Sequence, residues 1–282
     1  MDFYKYHALG NDYIVIDPNK IDVSLSPDNI RLICHRNFGI GSDGILYGPI
    51  FGSEKMKLRI LNPDGSEAEK SGNGIRIFSK YLLDAGYITS RIFQLITLGG
   101  EVTIEITDSS IPLITVNMGA VTFQSDLIPV AGSSREVIEN DLLIDSVPLK
   151  MTCLSIGNPH CCIIPMPNIS KEIASALGPR IETLQIFPNR INVQFLKVLD
   201  RQNIQIEIWE RGAGYTLASG SSSCAAASAA YRLGLTNETM KVHMPGGKID
   251  ISIQPNGDVY MTGSVSNVMQ GRFAPEFRQL LK

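Results

Sequence analysis

Short runs in which hydrophobic and polar residues alternate with a period of two occur throughout the chain, and they predict β-strands. The clearest runs are residues 93–97, 102–106, 114–118, 248–253 and 259–263. Further strands are predicted at residues 3–6, 13–16, 45–47, 57–61, 151–154, 161–165, 192–198, 205–209 and 241–243. Glycine, asparagine and proline separate many of these runs, as is typical of turns. The pattern therefore predicts a chain dominated by β-structure.

Two longer helical runs interrupt the strands, and each follows a loop rich in glycine and serine. Residues 75–83 follow the loop 71–74, and the alanine-rich residues 224–233 follow the loop 219–221. Glycine closes both runs, as it does at many helix ends. Shorter helices are predicted at residues 27–34 and around 170–177. One long helix among many strands in each half predicts an α+β fold.

The two halves of the chain repeat each other. Gly65 and Gly212 lie 147 positions apart, and Ser71 and Ser219 lie 148 apart. Residues 9–11 and 98–100 match residues 156–158 and 245–247 at the same spacing. A near-constant offset predicts a duplicated half of about 147 residues. We expect an N-terminal domain of residues 1–118 plus 264–282 and a C-terminal domain of residues 119–263, each a sheet or small barrel wrapped around its central helix.

The last segment, residues 264–282, matches nothing in the middle of the chain. We expect it to return and pack on the first half.

Composition excludes several classes of function. The 282 residues include 44% hydrophobic and 19% charged residues, as in globular proteins. The net charge of −3 and the lack of a basic cluster argue against nucleic acid as a partner. No hydrophobic run approaches the roughly 20 residues that cross a bilayer. Five irregularly spaced cysteines predict reduced thiols and a cytoplasmic location, and neither they nor the four histidines have metal-ligand spacing.

The two helix starts predict a site for a carboxylate. Unpaired N–H groups and the positive end of the helix dipole attract anions there. Gly72 and Asn73 in one half and Gly220 and Ser221 in the other would supply these groups, in a cleft between the domains. The side chains at positions 71 and 219 would then face the α-carbon of the ligand from opposite sides. Stereoinversion needs this arrangement, because one group removes a proton and the other delivers one.

Several longer stretches resemble one family. HALGNDYIVID, GIGSDGIL, NPDGSEAEKSGNGIR, IGNPHC, NRINVQF and ERGAGYTLASGSSSCA occur in this order across residues 7–225. They are similar to the diaminopimelate epimerases, amino-acid epimerases and racemases that work without pyridoxal phosphate. The resemblance implies the pseudo-symmetric two-domain fold, interconversion of LL- and meso-diaminopimelate for lysine and peptidoglycan synthesis, no cofactor, and a homodimer. The implied partner is a small amino acid, with neither nucleic acid nor a membrane.

The resemblance also implies roles for individual residues. Positions 71 and 219 would be the catalytic acid–base pair, assisted by His160 and Glu210. The residues implied to bind the substrate are Asn11, Asn62, Gly72, Asn73, Asn158, Asn192, Arg211, Gly220 and Ser221.

The chain departs from the family at both catalytic positions, where Ser71 and Ser219 replace cysteines. Serine is a far weaker acid than cysteine and needs a neighbouring base. Smaller departures are Lys70 and Tyr215. Three explanations stay open. The cysteines were replaced deliberately to trap a substrate; the chain is a natural paralogue acting as an isomerase, another racemase or a dehydratase; or it only binds an amino acid.

Each candidate also has a purely structural interpretation. Serine is among the best helix N-caps, so Ser71 and Ser219 could simply cap their helices. His160 could be a structural imidazole. The two serines lie outside a G-x-S-x-G motif, which argues against a Ser-His-Asp hydrolase. Residues 39–44 fit G-x-G-x-x-G but follow no clear strand, so we interpret them as a turn near the pocket.

Overall fold

The structure, a computed structural model, describes residues 2–21, 23–52, 55–107, 112–145 and 147–281. The strands in the first half are β1 (Asp2–Ala8), β2 (Asn11–Ile16), β3 (Ile45–Phe51), β4 (Met56–Leu61), β5 (Glu67–Ala68), β6 (Ile92–Thr97), β7 (Gly100–Ile106) and β8 (Leu113–Ala120). Those that follow are β9 (Asn140–Ile144), β10 (Val147–Ser155), β11 (Pro159–Ile163), β12 (Asn192–Asp200), β13 (Asn203–Glu210), β14 (Gly214–Thr216), β15 (Thr239–Met244), β16 (Gly247–Ile253), β17 (Asp258–Ser264) and β18 (Ser266–Arg272). The helices are α1 (Pro27–Cys34), α2 (Gly72–Asp84), α3 (Lys171–Glu182), α4 (Gly220–Arg232) and α5 (Pro275–Leu280), and a 3₁₀ turn spans Ser125–Leu127.

The chain forms two compact units. Residues 1–116 and 263–282 make the first unit, and residues 117–262 make the second. In the first unit the strands are ordered β18-β1-β2-β3-β4-β6-β7-β8, and the short β5 also pairs with β4. The pairs β2–β3 and β4–β6 are parallel, and the others are antiparallel.

The second unit repeats this topology strand for strand. Its order is β9-β10-β11-β12-β13-β15-β16-β17, and the short β14 also pairs with β13. The pairs β11–β12 and β13–β15 are parallel, in the same places along the order. The α+β fold and its duplicated halves are therefore confirmed.

The C-terminal tail behaves partly as predicted. Strand β18 pairs with β1, so the tail does return to the first half. The expectation that this segment has no counterpart is wrong, because β9 holds the same position beside β10. The second unit takes its edge strand, β9, from near its own beginning, whereas the first unit takes its edge strand, β18, from the end of the chain. Edge pairing depends on backbone hydrogen bonds, so the two strands need no common sequence.

Helix α2 is buried on most of its sides, as predicted. It lies against β1, β2 and β3. Ile75, Ile77, Phe78 and Leu82 are fully buried, and the burial of each contributes about 1.5–3 kcal/mol relative to leaving it exposed. Its equivalent, α4, is largely alanine and serine, and residues 222–230 are buried. Small side chains let the strands of the second unit approach α4 closely.

The other face of each sheet is covered by a second helix. In the first unit Ile30 and Ile33 of α1 pack with Phe3 and Ile14. In the second unit α3 lies against β12, β13 and β14, and its buried Ile181 belongs to a hydrophobic cluster that includes Cys161 and Ile163 of β11. The sheets therefore lie between two layers, which explains why strands such as β11 are buried throughout.

Helix α3 extends beyond its predicted end at residue 177. Gly178 and Pro179 indicate a helix end in the sequence, yet α3 continues to Glu182. A Cβ atom at Gly178 would lie only 2.5 Å from Cγ of Trp209, so the glycine allows the helix to sit directly on the indole ring. Tertiary packing outweighs the local preference here. The short β5 and β14, the edge strand β9 and helix α5 were also missed.

Candidate functional site

Ser71 caps α2. Its Oγ accepts a hydrogen bond from the backbone N–H of Gly74 at 3.1 Å, and its backbone is extended. The phenol oxygen of Tyr13 lies 3.3 Å from the same Oγ. A Cβ atom at Gly44 would lie 2.7 Å from the ring of Tyr13, so this glycine leaves room for the phenol. The hydroxyl of Ser71 is therefore held between a backbone donor and a second hydroxyl.

Ser219 caps α4 in the same way. Its Oγ accepts from the backbone N–H of Ser222 at 3.4 Å, and its carbonyl accepts from the hydroxyl of Ser223 at 2.8 Å. Both helices contain 13 residues and begin directly after the capping serine. The structural interpretation of the two serines as N-caps is thus confirmed. Each cap satisfies one N–H group of its helix, and the first-turn N–H groups before it have no partner within the helix.

A chain of polar side chains fixes the amide of Asn73 at the first helix start. The buried Arg76 donates to Oδ1 of Asn73 at 2.7 Å, and Nδ2 of Asn73 donates to Oδ1 of Asn11 at 3.0 Å. Nδ2 of Asn11 in turn donates to Asp43 at 2.8 Å, and Asp43 accepts from Arg36 at 2.6 Å. This series of hydrogen bonds defines which atom of each asparagine amide is the donor and which is the acceptor.

Asp12 binds Arg36, the last residue of this series of hydrogen bonds. Its carboxylate accepts from Arg36 at 2.8 Å and pairs with Lys5 at 2.8 Å. Burial alone would raise the pKa of Asp12, but the hydrogen bonds from Arg36 and Lys5 outweigh it and leave the pKa below its usual value. The carboxylate is therefore charged at neutral pH.

A corresponding polar group lies at the second helix start. Nδ2 of Asn158 donates to Oγ of Ser221 at 3.4 Å, so its Oδ1 faces Nε2 of His160 at 2.9 Å. This orientation makes Nε2 the protonated ring nitrogen. Behind it, the buried Gln194 donates to Oγ of Ser222 at 3.0 Å. The first turn of α4 is thus held by Asn158, which directly precedes β11, and by Gln194 of β12.

The imidazole of His160 is neutral at any pH near neutrality. It is fully buried, and burial lowers its pKa to about 3. Its Nδ1 has no hydrogen-bond partner among the residues that the structure describes. A buried imidazole of this kind can donate from Nε2 but resists taking up a second proton.

The Glu210–Arg211 pair lies at the tip of a tight hairpin. Glu210 is the last residue of β13, and it pairs with Gly214 of β14. The backbone N–H of Arg211 donates to Oδ1 of Asn192 at 2.9 Å, and its guanidinium donates to the carbonyl of Asn189 at 3.3 Å. Arg211 is exposed to solvent, so its side chain is available to a ligand.

Two further positions complete the placement of the predicted residues. The side chain of Asn62 donates to Oγ of Ser66 at 2.9 Å within its own loop. Tyr215, a departure from the family, donates to Glu207 at 2.7 Å, and burial and this carboxylate raise the pKa of its phenol. The predicted residues joined by hydrogen bonds are Asn11 with Asn73, Asn158 with His160 and Ser221, and Asn192 with Arg211.

Sequence reasoning missed several residues that hold these groups in place. They are Tyr13, Asp43, Arg76, Glu182 and Gln194. Tyr13, Asp43, Arg76 and Gln194 lie inside the stretches HALGNDYIVID, GIGSDGIL, NPDGSEAEKSGNGIR and NRINVQF, and this was the available signal for them; Glu182 lies outside every such stretch. Over the described ranges, His, Cys, Asp and Glu form no group of three that could bind a metal ion. Of the helices in the described parts of the chain, none is long and apolar enough to span a bilayer.

Comparison with known proteins gives a consistent result. Residues 3–124 and 152–268 match the family model described as "Diaminopimelate epimerase". The chain is 53% identical to "Diaminopimelate epimerase 2" of Nostoc sp. strain PCC 7120 over 277 residues, which cover 98% of this chain and 96% of the relative. It is 38% identical to "Diaminopimelate epimerase" of Methanothermobacter thermautotrophicus, over 95% of this chain and 97% of the relative.

Solved structures show the same fold at low sequence identity. A probable proline racemase from Agrobacterium radiobacter K84 has a TM-score of 0.71 at 14% identity, covering 97% of this chain and 93% of that one. A phenazine biosynthesis protein of the PhzF family from Bacillus anthracis has a TM-score of 0.69 at 14% identity, covering 97% and 99%. These similarities concern the fold alone.

Proposed function

Because the chain belongs to the diaminopimelate epimerase family, we propose that it binds diaminopimelate and interconverts the LL and meso forms by proton transfer at the α-carbon. The observation that carries this proposal is the pair of equivalent helix starts, each capped by a serine hydroxyl and followed by first-turn N–H groups. The reacting carboxylate would bind to the N–H groups of Gly72, Asn73, Gly220 and Ser221.

Ser71 and Ser219 are the proposed catalytic positions. A proton leaves one face of the α-carbon toward one position, and the other position returns a proton to the opposite face. Glu210 is proposed to assist this transfer. Arg211 and the side chains of Asn11, Asn62, Asn158 and Asn192 are proposed to bind the remaining amine and carboxylate groups of the substrate.

His160 is proposed to act without changing its charge. Its pKa of about 3 leaves it neutral, and its Nε2–H is directed at Asn158. It therefore orients the amide of Asn158 toward Ser221 rather than serving as a proton carrier. Proton transfer then depends on the two hydroxyls, which are weak acids and weak bases. We expect turnover to be slow for this reason.

The capping role of the serines favours a second candidate, a protein that binds the amino acid without turnover. Each serine Oγ already accepts a backbone N–H as a helix cap, a role that accounts for the serine without any catalytic function. In this case the helix starts would still hold the carboxylate, and the chain would bind its ligand without exchanging the α-proton.

Deuterium exchange distinguishes these candidates. LL-diaminopimelate is incubated in D₂O with the wild-type chain, with the Ser71→Cys/Ser219→Cys variant and with the Ser71→Ala/Ser219→Ala variant, and the α-proton is followed by NMR. We expect slow exchange with wild type, none above background with the alanine variant, and a rate at least about 100-fold higher with the cysteine variant.

Calorimetry on the same three proteins should show saturable binding. Wild-type binding with no exchange above the alanine variant would support the second candidate. Absence of binding by all three proteins would refute the proposed substrate.

A cytoplasmic location and a homodimer are part of the same proposal. All five cysteines are buried and free, as suits a reducing compartment. Val268 and Met269 of β18 are 53% and 44% exposed, which suits contact with a second copy. Sedimentation of wild type and of Val268→Lys tests the dimer, and the lysine variant is expected to sediment as the smaller species. Equal sedimentation of both proteins would argue against a contact through β18.

A further inference from the structure

One buried carboxylate holds both sides of the hairpin tip that carries Glu210 and Arg211. Glu182, the last residue of α3, is only 5% exposed. Its Oε2 accepts from the indole N–H of Trp209 at 2.7 Å, and its Oε1 accepts from the backbone N–H of Gly212 at 3.0 Å. Trp209 precedes the Glu210–Arg211 pair and Gly212 follows it, so the carboxylate bridges the two ends of the tip.

Within the tip, the N–H of Ala213 donates to the carbonyl of Glu210 at 3.1 Å, and the N–H of Gly212 depends on Glu182 for its acceptor. Gly212 and Gly214 have φ angles of +76° and +85°, a region that glycine enters freely. The side chain of Arg211 is solvent-exposed, and its guanidinium contacts only the carbonyl of Asn189 among the hydrogen bonds described for it. Without Glu182, the N–H of Gly212 would lose its acceptor.

The first unit supports the equivalent loop by a different contact. Gly65 occupies the matching place, also with a positive φ of +90°. A Cβ atom there would lie 2.7 Å from Cβ of Pro27, the first residue of α1. Both units thus support this loop with the helix that covers the outer face of the sheet. The first unit uses close packing and the second uses a carboxylate.

We infer that Glu182 is a positioning residue, which holds Glu210 and Arg211 in the orientation that the ligand requires. The inference rests on the proposed function, because it assigns a purpose to the geometry of two residues named there. Arg190 also approaches Oε1 at 3.5 Å, but its side chain is 61% exposed, and such a pair contributes little. The two N–H donors from the hairpin are therefore the partners that matter.

A matched pair of variants tests this inference. Glu182→Gln keeps the shape of the side chain, but its amide has only one acceptor oxygen. It therefore cannot accept from both the indole N–H of Trp209 and the backbone N–H of Gly212. Glu172→Gln makes the same chemical change at an exposed position of the same helix. Trp209 is the single tryptophan of the chain, so its fluorescence reports the hydrogen bond to Glu182 in both proteins.

Three readouts separate positioning from simple stability. We expect Glu182→Gln to shift the fluorescence emission, to speed amide exchange of residues 211–212 by about tenfold, and to weaken binding of diaminopimelate by about tenfold. Glu172→Gln should match wild type in all three. If Glu182→Gln does not fold, Trp209→Phe removes the indole donor while keeping an aromatic ring beside Gly178. It should weaken binding of diaminopimelate, while the amide of Gly212, which keeps Glu182 as its acceptor, exchanges as in wild type.

The outcomes distinguish this inference from the proposed function. Faster amide exchange in Glu182→Gln, with an unchanged affinity for diaminopimelate and an unchanged rate of α-proton exchange, would overturn the positioning role. It would leave the proposed function intact. Equal weakening in Glu182→Gln and Glu172→Gln would also overturn it. A wild-type chain that binds no diaminopimelate would instead overturn the proposed function.

Discussion

Replacing His160 with asparagine should flatten the pH dependence of stability of the second unit. The ring is fully buried with a pKa of about 3, whereas a histidine in an unfolded chain has a pKa near 6.5. Below pH 6.5 the unfolded state binds a proton that the folded state does not. The stability associated with His160 is therefore complete above pH 6.5 and is lost progressively as the pH falls toward 3.

The size of the effect follows from these two pKa values. Between pH 7.5 and pH 5.0 the unfolded histidine gains about one proton while the buried one stays neutral, which lowers the free energy of unfolding by about 2 kcal/mol. Asparagine does not titrate, so this decrease disappears in the variant. The smaller side chain also lowers the free energy of unfolding by an amount that does not depend on pH. This amount cancels, because the comparison uses only the difference between the free energies at pH 7.5 and pH 5.0.

The assay is urea denaturation at both pH values, followed by the fluorescence of Trp209, which lies in the same unit as His160. His160→Gln provides the control, since it differs from asparagine in size and equally lacks a titrating group. Both variants should lose about 2 kcal/mol less than wild type on acidification. A wild-type chain with the same pH dependence as both variants would show that His160 titrates normally and would refute its role as a neutral group.

The remaining predictions concern the helices. Ser71→Ala and Ser219→Ala should each lower the free energy of unfolding by about 1 kcal/mol, because each removes an N-cap, while asparagine at either position should retain most of it. Equal denaturation midpoints for the serine and alanine proteins would show that the caps contribute nothing. Gly178→Ala should destabilise the chain by about 1–3 kcal/mol through a clash with the indole ring, although alanine favours a helix. Ser175→Ala, on an exposed part of the same helix, should be neutral or slightly stabilising in the same measurement.

The duplicated architecture could be predicted from the sequence, because the residues that form turns and helix starts are the same in both halves. Gly65 and Gly212 need a positive φ, and Ser71 and Ser219 cap helices, so their identities survive in both halves. The edge strands β9 and β18 carry no such requirement. Their equivalence appears only when strand pairing is known.

The supporting residues of the site could not be predicted, because they act across long stretches of chain. Tyr13 meets Ser71 over 58 positions, and Trp209 meets Glu182 over 27. Helix α3 passes Pro179 for a similar reason, since packing of Gly178 on the indole ring outweighs the local signal. Contacts of this kind depend on how elements pack, which periodicity does not encode.

The proposed role of positions 71 and 219 is tested by one comparison of α-proton exchange rates. The Ser71→Cys/Ser219→Cys variant and the Ser71→Ala/Ser219→Ala variant are each saturated with LL-diaminopimelate in D₂O. If these positions hold the acid–base pair, the cysteine variant will exchange the α-proton at least about 100-fold faster than the alanine variant and will form the meso isomer. If both variants bind the amino acid and exchange its proton at the same background rate, proton transfer does not occur at these helix starts.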